Sequence, residues 1–431
     1  MRETSLESPV TSTSIKIFFG LGGQKVFSLL AAFVISIVLA RVLGPEDYGL
    51  YVFVSAFIPL AALPISGGLP QLLTREVAKY AHRQSYAELK GTVITALRLN
   101  LWLSICLFCL CALGLLLSDG SSKLFLIFLA LLCVPFIAIE ATHNGIIKGF
   151  EKPAHAEFAK QVIQPVVMGA LLLVLISTQH ITASTAILSM ILATASCALF
   201  SVILYRRLRP PIPSDVIAVR GDGILFTSLA SFSAIALITN FNAQIGILIL
   251  GILDQNAEAA SLRIAERAGQ LVAMPLAIVN LMIAPRIVAA FQSQDVKQLR
   301  KVAQSAALYS FGLTLPATVA LLFFGDWLIA ISFGEAYVQS ALPAVIIIAV
   351  GQTLGAFLGS VWPLLTMTGH EKRALGGLAL AFALNLLVCL WLAPTMGATG
   401  AALGSAVSLV LCKYIFSREI KKLLNIRSRV F

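Results

Sequence analysis

The chain has 431 residues, of which 58% are hydrophobic and only 12% charged, with a formal net charge of +11 and a mean hydropathy of +0.92. A charged share about half that of a soluble domain, with apolar runs recurring from end to end, excludes a soluble core and makes the protein a polytopic membrane protein. The excess of Lys and Arg is spread over the ends of the apolar runs without interleaved aromatics, which fits anionic lipid headgroups and argues against nucleic acid.

Residues 1–15 are polar and read as a cytoplasmic N-terminus; the apolar run that follows lacks a small-x-small cleavage site and is expected to be a retained first helix. Windows of about 20 residues predict an all-α chain of about twelve spans, near 17–40, 49–73, 92–117, 124–146, 159–177, 183–204, 224–250, 259–284, 303–323, 341–366, 374–393 and 398–416. Between the first two spans only Gly44-Pro45 offers room for a turn, so Leu39 to Tyr51 reads as the tight connection of a helical hairpin. The piece around 323–335 either extends span nine or forms a short interfacial segment. Pro59, Pro64, Pro70, Pro275 and Pro343 fall inside spans and are expected to bend them.

The basic residues give an independent test of the count. With a cytoplasmic N-terminus, one side collects the sets from Arg75 to Lys90, Lys148 to Lys160, Arg206 to Arg220, Arg286 to Lys301, Lys372 with Arg373, and Lys413 to Arg429. The other side holds little beyond Arg41, Lys123, Arg263 and Arg267. That asymmetry obeys the positive-inside rule and puts both termini in the cytoplasm.

The sequence also repeats weakly. At a shift of about 210, Leu43 meets Leu253, Val77-Ala78 meets Val288-Ala289, and Leu89-Lys90 meets Leu299-Arg300; at about 220, Gly149-Phe-Glu-Lys152 meets Gly369-His-Glu-Lys372. The order of matches suggests two six-helix bundles, 16–204 and 224–416, in parallel orientation because six is even. A Pro- and Arg-rich linker at 205–223 would join them, and a basic tail, 417–431, would close the chain.

Polar residues within spans mark the candidate substrate path, because an ionisable group in hydrocarbon is costly unless it meets water or a partner. Arg263, Glu266, Arg267 and Gln270 follow i, i+3, i+4, i+7 spacing on one face of span eight, and Glu140, His143 and Asn144, with Lys148 a turn on, do the same in span four. Gln24 and Lys25 lie in span one, Asn240 and Gln244 on one face of span seven, with Asn242 to its side. Each has a plainer alternative: Arg263 and Glu266 as a headgroup ion pair, Lys25 and Lys148 as snorkelling lysines, Asn240 and Gln244 as interhelical hydrogen bonds. Gly20-Leu-Gly-Gly-Gln-Lys25 lacks the spacing and hydroxyl residue of a phosphate loop, and close helix packing is the expected reason for its glycines. If the polar faces point inward, they enclose a wet cavity rich in cations, suited to an anionic substrate.

The seven cysteines lie in apolar stretches, and Cys106, Cys109 and Cys111 have no His or carboxylate beside them in their span, so no metal site is expected. The loops are too short for the active site of a polymerase or glycosyltransferase, and no catalytic residue is expected.

Leu-Gly-Pro-Glu-x-Tyr-Gly at 43–49, Gly67-Gly-Leu-Pro70 before Arg75-Glu-Val-Ala-Lys79, the Arg263 to Arg267 region, Gly149-Phe-Glu-Lys-Pro153, Gly369-His-Glu-Lys372 and Met396-Gly-Ala-Thr-Gly-Ala-Ala402 together resemble the bacterial oligosaccharide flippases. These are the O-antigen translocase type of the multidrug/oligosaccharidyl-lipid/polysaccharide exporter superfamily. The resemblance implies a V-shaped cavity between two bundles in the bacterial cytoplasmic membrane. It further implies alternating access for a polyprenyl-diphosphate-linked oligosaccharide destined for O-antigen, capsule or exopolysaccharide. Other polysaccharide-assembly membrane proteins are then partners, no cofactor is needed, and coupling to a proton or sodium gradient would use Glu140 and Glu266. Leu253-Asp-Gln-Asn departs from the family's Leu-Gly element after span seven. A drug/cation antiporter of the same superfamily, which prefers an acidic cavity, and a peptidoglycan-precursor flippase, usually with two more helices, are the alternatives.

Overall fold

The computed structural model describes residues 12–117, 123–178, 181–210, 218–219, 225–368, 371–424 and 426. The predicted N-terminal tail (but for its last four residues), most of the linker and the end of the basic tail lie outside these. The described residues form no strand. The first half comprises α1 (Ser12–Ala61), α2 (Leu63–Ser66), α3 (Leu69–His82), α4 (Tyr86–Leu117), α5 (Lys123–Leu131), α6 (Cys133–Gly149), α7 (Pro153–Phe158), a π turn (Ala159–Ile163), α8 (Gln164–Thr178) and α9 (Ala183–Leu208). The second comprises α10 (Leu225–Ile252), α11 (Asn256–Val272), α12 (Met274–Gln292), α13 (Val296–Ser332), a 3-10 turn (Glu335–Tyr337), α14 (Val338–Phe357), α15 (Val361–Met367) and α16 (Glu371–Leu424).

Among the described residues, nine helical stretches are long and apolar enough to cross a membrane. Large apolar side chains face outward along them, Trp102, Leu116, Phe323 and Trp391 each more than two thirds exposed, a surface that only lipid can cover. Two of the nine, Gly20–Ala61 and Arg373–Leu423, are 42 and 51 residues long. Straight helices of that length would reach roughly 60 Å or more, about twice the hydrocarbon core. Each instead folds back on itself at a glycine. Gly44 takes φ 75°, ψ 174° and Gly397 φ 56°, ψ −133°, conformations that a side chain disfavours. The reversal brings the Ser36 and Tyr48 hydroxyls to 2.5 Å in α1 and lets Ser408 Oγ donate to Ala381 O at 2.7 Å in α16. Tyr48 is 1% exposed, so Tyr48→Phe, which leaves Ser36 without this partner, is expected to cost about 1 kcal/mol, read as a lower Tm of the detergent-solubilised protein at unchanged folded yield.

The prolines sort by position. Pro64, Pro70 and Pro275 stand in the first turn of α2, α3 and α12, where the missing N–H costs nothing and the preceding helix has ended. Pro59 and Pro343 lie inside helices that continue past them. Predicted span eight is accordingly two helices, parted at Ala273. The piece around 323–335 mostly extends α13, which runs to Ser332.

The turns recur at one interval. Gly44 and Asp254 both have positive φ (75° and 60°), as do Gln84 and Gln294 (57° and 55°), and each pair is 210 residues apart. Asp254, where the sequence departs from the Leu-Gly element, adopts the left-handed conformation that Asp tolerates better than most residues.

One large hydrophobic core draws on both halves at the end of the bundle that carries the turns at Gly44 and Asp254, with Leu39, Tyr48 and Phe53 beside Leu250, Ala260 and Tyr337. At the other end the cores are separate, one from α3, α4 and α6 around Val77 and Ile146, the other from α12, α13, α15 and α16 around Leu299 and Ile420. The halves therefore meet at one end and part at the other. Polar contacts pin the shared end: Tyr337 OH donates to Ala40 O at 2.9 Å, Arg41 Nε to Ser332 O at 2.7 Å, and Lys123 pairs with Asp254. α1 meets α11 at Gly49, where an added Cβ would fall 1.8 Å from Asn256 O. Close packing does not account for the glycines near Lys25: nothing lies within 4 Å of a Cβ at Gly22 or Gly23, and at Gly20 the nearest atom is at an ordinary 3.8 Å.

Candidate functional site

Two chambers between the halves carry most of the predicted polar residues. The larger, about 630 Å³, is walled mainly by the first half: Lys25 and Ser28 of α1, Glu140, Asn144 and Lys148 of α6, Glu157 of α7, Lys160 and Gln161 of the π turn, with Asn240 of α10 from the second half. The smaller, about 390 Å³, lies nearer the shared end, between Ser36, Tyr48 and Tyr51 of α1 and Gln244, Arg263 and Arg267 of α10 and α11. Both include Ser28, Ser55, Pro59, Lys160, Gln164 and Met190 in their walls, so they form one continuous cavity.

Helical spacing explains how the walls are furnished. Glu140, Asn144 and Lys148 succeed one another at i, i+4, i+8 on α6, and Arg263 and Arg267 at i, i+4 on α11. Glu157, Lys160, Gln161 and Gln164 follow the same i, i+3, i+4, i+7 pattern as span eight, a face the sequence analysis passed over because it began span five at 159. The π turn widens the backbone there, as such turns do at functional positions, and Lys160 becomes the one charged side chain shared by both chambers.

The predicted site residues divide. Lys25, Glu140, Asn144 and Asn240 line the larger chamber and Gln244, Arg263 and Arg267 the smaller. Gln24 turns aside and donates to Ala154 O at 3.1 Å. His143 leaves the cavity altogether: its Nδ1 is 2.7 Å from Ile139 O and its ring packs against Tyr205 with centroids 5.2 Å apart. Positions 143 and 144 stand about 100° apart around the helix, and the helix is turned so that Asn144 reaches the chamber while His143 packs against Tyr205. Glu266 pairs with Arg263 at 2.9 Å behind the wall, and exposed Gln270 accepts from Arg267 at 3.0 Å. Asn242 ties α10 to α16 by accepting from the fully buried Asn385 at 3.0 Å.

The ion pairs leave a surplus of positive charge. Lys148 is paired with Glu157 at 2.5 Å and Arg263 with Glu266, while Gln244 accepts a further bond from Arg263 at 3.2 Å. Lys148 is thus a wall residue as well as a basic residue near the membrane surface. Glu140 is held by Asn144 at 3.3 Å, which also donates to Ala156 O. Among the described residues, Lys25, Lys160 and Arg267 have no carboxylate within 4 Å. Against these three cations stands, among the described residues, one wall carboxylate outside an ion pair, Glu140, which Lys160 faces; the positive charge that remains, in a cavity with low-dielectric walls, attracts anions more strongly than it would in open water. No cluster of His, Cys, Asp and Glu able to hold a metal occurs among the described residues.

Residues 16–291 match the family model described as polysaccharide biosynthesis protein. Among solved structures, the chain is similar to an inward-facing multidrug resistance MATE family transporter of the MOP superfamily, at 14% identity and a TM-score of 0.73, over 92% of this chain and 94% of that one. It is similar to a MOP superfamily transporter from Pyrococcus furiosus described as having a binding pocket of reversed polarity (13%, TM-score 0.68, 95% and 96%). It is also similar to the Lipid II flippase MurJ in an inward closed conformation (14%, TM-score 0.67, 94% and 87%). At these identities the likeness is one of fold. No curated protein matches the sequence.

Proposed function

The chain belongs to the polysaccharide biosynthesis protein family, and from that membership we propose that it is a flippase which carries a polyprenyl-diphosphate-linked oligosaccharide, the precursor of a surface polysaccharide, across the bacterial cytoplasmic membrane. The observation that carries this reading is the surplus of cations, Lys25, Lys160 and Arg267, around one continuous cavity between the halves. A diphosphate is the part of such a lipid that cations recognise best, through charge-assisted hydrogen bonds. The sugars then occupy the remaining polar wall of Asn144, Gln161, Asn240 and Gln244, and the isoprenoid stays in the bilayer.

In this reading the chain crosses the membrane twelve times, with both termini cytoplasmic: the two hairpins count twice, and α11 with α12 counts once. The cavity then opens to the cytoplasm, and the contacts of Tyr337, Arg41 and Lys123 form the outer closure that must part for release. Glu140 and Glu266 are the groups through which a proton or sodium gradient would drive the cycle.

Two other readings keep the same fold. A flippase for a peptidoglycan precursor, the activity named for MurJ, would place its lipid's anionic headgroup against the same cations. Export of cationic drugs, in the manner of the MATE transporters, is disfavoured by the same surplus of positive charge.

Deletion of the gene in its host, with mass spectrometry of the extracted polyprenyl lipids, tests the proposal. The expected result is accumulation of a diphosphate-linked oligosaccharide repeat unit, reversed when the gene is restored. Accumulation of Lipid II would transfer the assignment to the peptidoglycan precursor. An unchanged lipid pool with new sensitivity to cationic drugs would replace it with drug export.

A further inference from the structure

On its outer surface the second half carries an apolar groove that has no wall residue in common with the chambers. It runs between α14 and the second arm of α16, has a volume of about 650 Å³, and includes Val350, Leu354, Val407, Val410 and Tyr414 in its walls. Its floor is made by two small residues: a Cβ at Gly351 would come within 2.8 Å of the Ala406 Cβ, so any larger pair there would fill the groove. Val350, Leu354, Val407 and Tyr414 are all more than a third exposed.

The wall on α16 is a single helical stripe, Leu403, Val407, Val410, Leu411 and Tyr414, at three- and four-residue spacing. The stripe does not stop at Tyr414. Its next positions are Arg418 and Lys421, both exposed, rising roughly 6 and 10 Å beyond the tyrosine at 1.5 Å per residue. Nearby Glu419 is shared by Arg373 and Lys422 at 3.2 and 3.1 Å. Arg418 and Lys421 have no carboxylate within 4 Å among the described residues. From Leu403 to Tyr414 the groove is roughly 16 Å long, the depth of one leaflet, about half of a ~30 Å hydrocarbon core.

We propose that this groove holds one anionic phospholipid of the leaflet on that side, its acyl chain between α14 and α16 and its phosphate against Arg418 and Lys421. Groove length, apolar lining and cations at one end match the three parts of such a molecule. A headgroup held in the chambers shares no wall residue with this groove, so an anion held at Arg418 and Lys421 belongs to a second lipid molecule.

Native mass spectrometry of the full-length, detergent-purified protein, with phosphatidylglycerol or phosphatidylcholine added, tests the site. The wild type is expected to retain one phosphatidylglycerol in preference to phosphatidylcholine. Arg418→Gln with Lys421→Gln should weaken that retention roughly 30-fold, the change given by about 1 kcal/mol for each basic residue near a lipid phosphate. Leu354→Trp with Val407→Trp, which fills the groove, should displace both lipids. Arg300→Gln with Lys301→Gln, at the same end of the bundle beside Leu299, should change nothing. Retention that survives the Arg418 and Lys421 changes or the filled groove, or that falls equally in the Arg300 and Lys301 control, overturns the assignment, as does displacement of phosphatidylglycerol by an equimolar polyprenyl phosphate. The readout is independent of transport, so it stands or falls apart from the flippase reading.

Discussion

Arg267→Gln is expected to leave the protein folded at normal levels and to reduce export of the lipid-linked saccharide by at least tenfold. Arg267 reaches only Gln270 across its own helix, at 3.0 Å, and has no carboxylate to leave behind. Removing it therefore takes a cation from the smaller chamber without stranding a buried charge. A hydrogen bond to a charged group contributes about 1.5–3 kcal/mol, which is 10-fold to more than 100-fold in affinity. Arg263 behaves differently. Its guanidinium neutralises Glu266, whose side chain is only 19% exposed, so Arg263→Ala leaves an uncompensated carboxylate inside the bundle at a cost of about 3–5 kcal/mol. That variant should yield less folded protein, and Glu266→Gln in the same chain should restore the yield while export stays low. The measurement is the amount of accumulated lipid-linked precursor in a deletion strain complemented with each variant, beside the yield of monodisperse protein. Full complementation by Arg267→Gln, Lys25→Ala and Lys160→Ala alike would show that the cavity does not bind an anion.

Gly49→Val should cost several kcal/mol and lose most of the folded protein. The contact at Gly49 is made by the Asn256 backbone, whose carbonyl oxygen, carbon and Cα would lie 1.8, 2.4 and 3.0 Å from an added Cβ. No rotamer change relieves a clash with backbone, and α1 and α11 would have to separate by more than an ångström. Both helices carry the shared core, with Val52 and Phe53 on one and Ala259, Ala260 and Leu262 on the other. Overpacking of side chains alone costs about 1–3 kcal/mol; opening this joint adds the loss of the contacts around it. Gly22→Ala and Gly23→Ala, in the same helix but facing open space, form the control. They are expected to be neutral or to stabilise by up to about 1 kcal/mol, because glycine is a poor helix former. Equal Tm values for Gly49→Val and the wild type would mean that the two halves do not meet here.

Much of this organisation was legible in the residues. The membrane class follows from composition, because no soluble fold buries so many apolar runs. The first hairpin follows from Gly44-Pro45, because a left-handed residue followed by a helix-starting proline is itself a turn. Pro64, Pro70 and Pro275 were expected to bend continuous spans and instead stand at helix starts, where proline gives up no hydrogen bond; Pro59 and Pro343 lie inside helices that continue past them. Periodicity also put Arg263 beside Arg267 and Glu140 beside Asn144. The face of Glu157, Lys160, Gln161 and Gln164 was equally regular and was missed only through the choice of where span five begins.

What the sequence by itself determined is therefore local: which segments enter the membrane, where they turn, and which polar residues share a helix face. Local backbone geometry and the cost of exposing polar groups to hydrocarbon act within a few residues, so they leave a readable pattern. Only the tertiary structure decided the direction of each face. It turned His143 onto Tyr205 and Gln24 onto Ala154, hid Glu266 behind Arg263, and brought Lys160 to the junction of the chambers through a π turn that no spacing announces. It also joined the halves at one end and parted them at the other, because a small residue that allows two backbones to touch, such as Gly49 against Asn256, acts only when a helix from the opposite half is there to meet it.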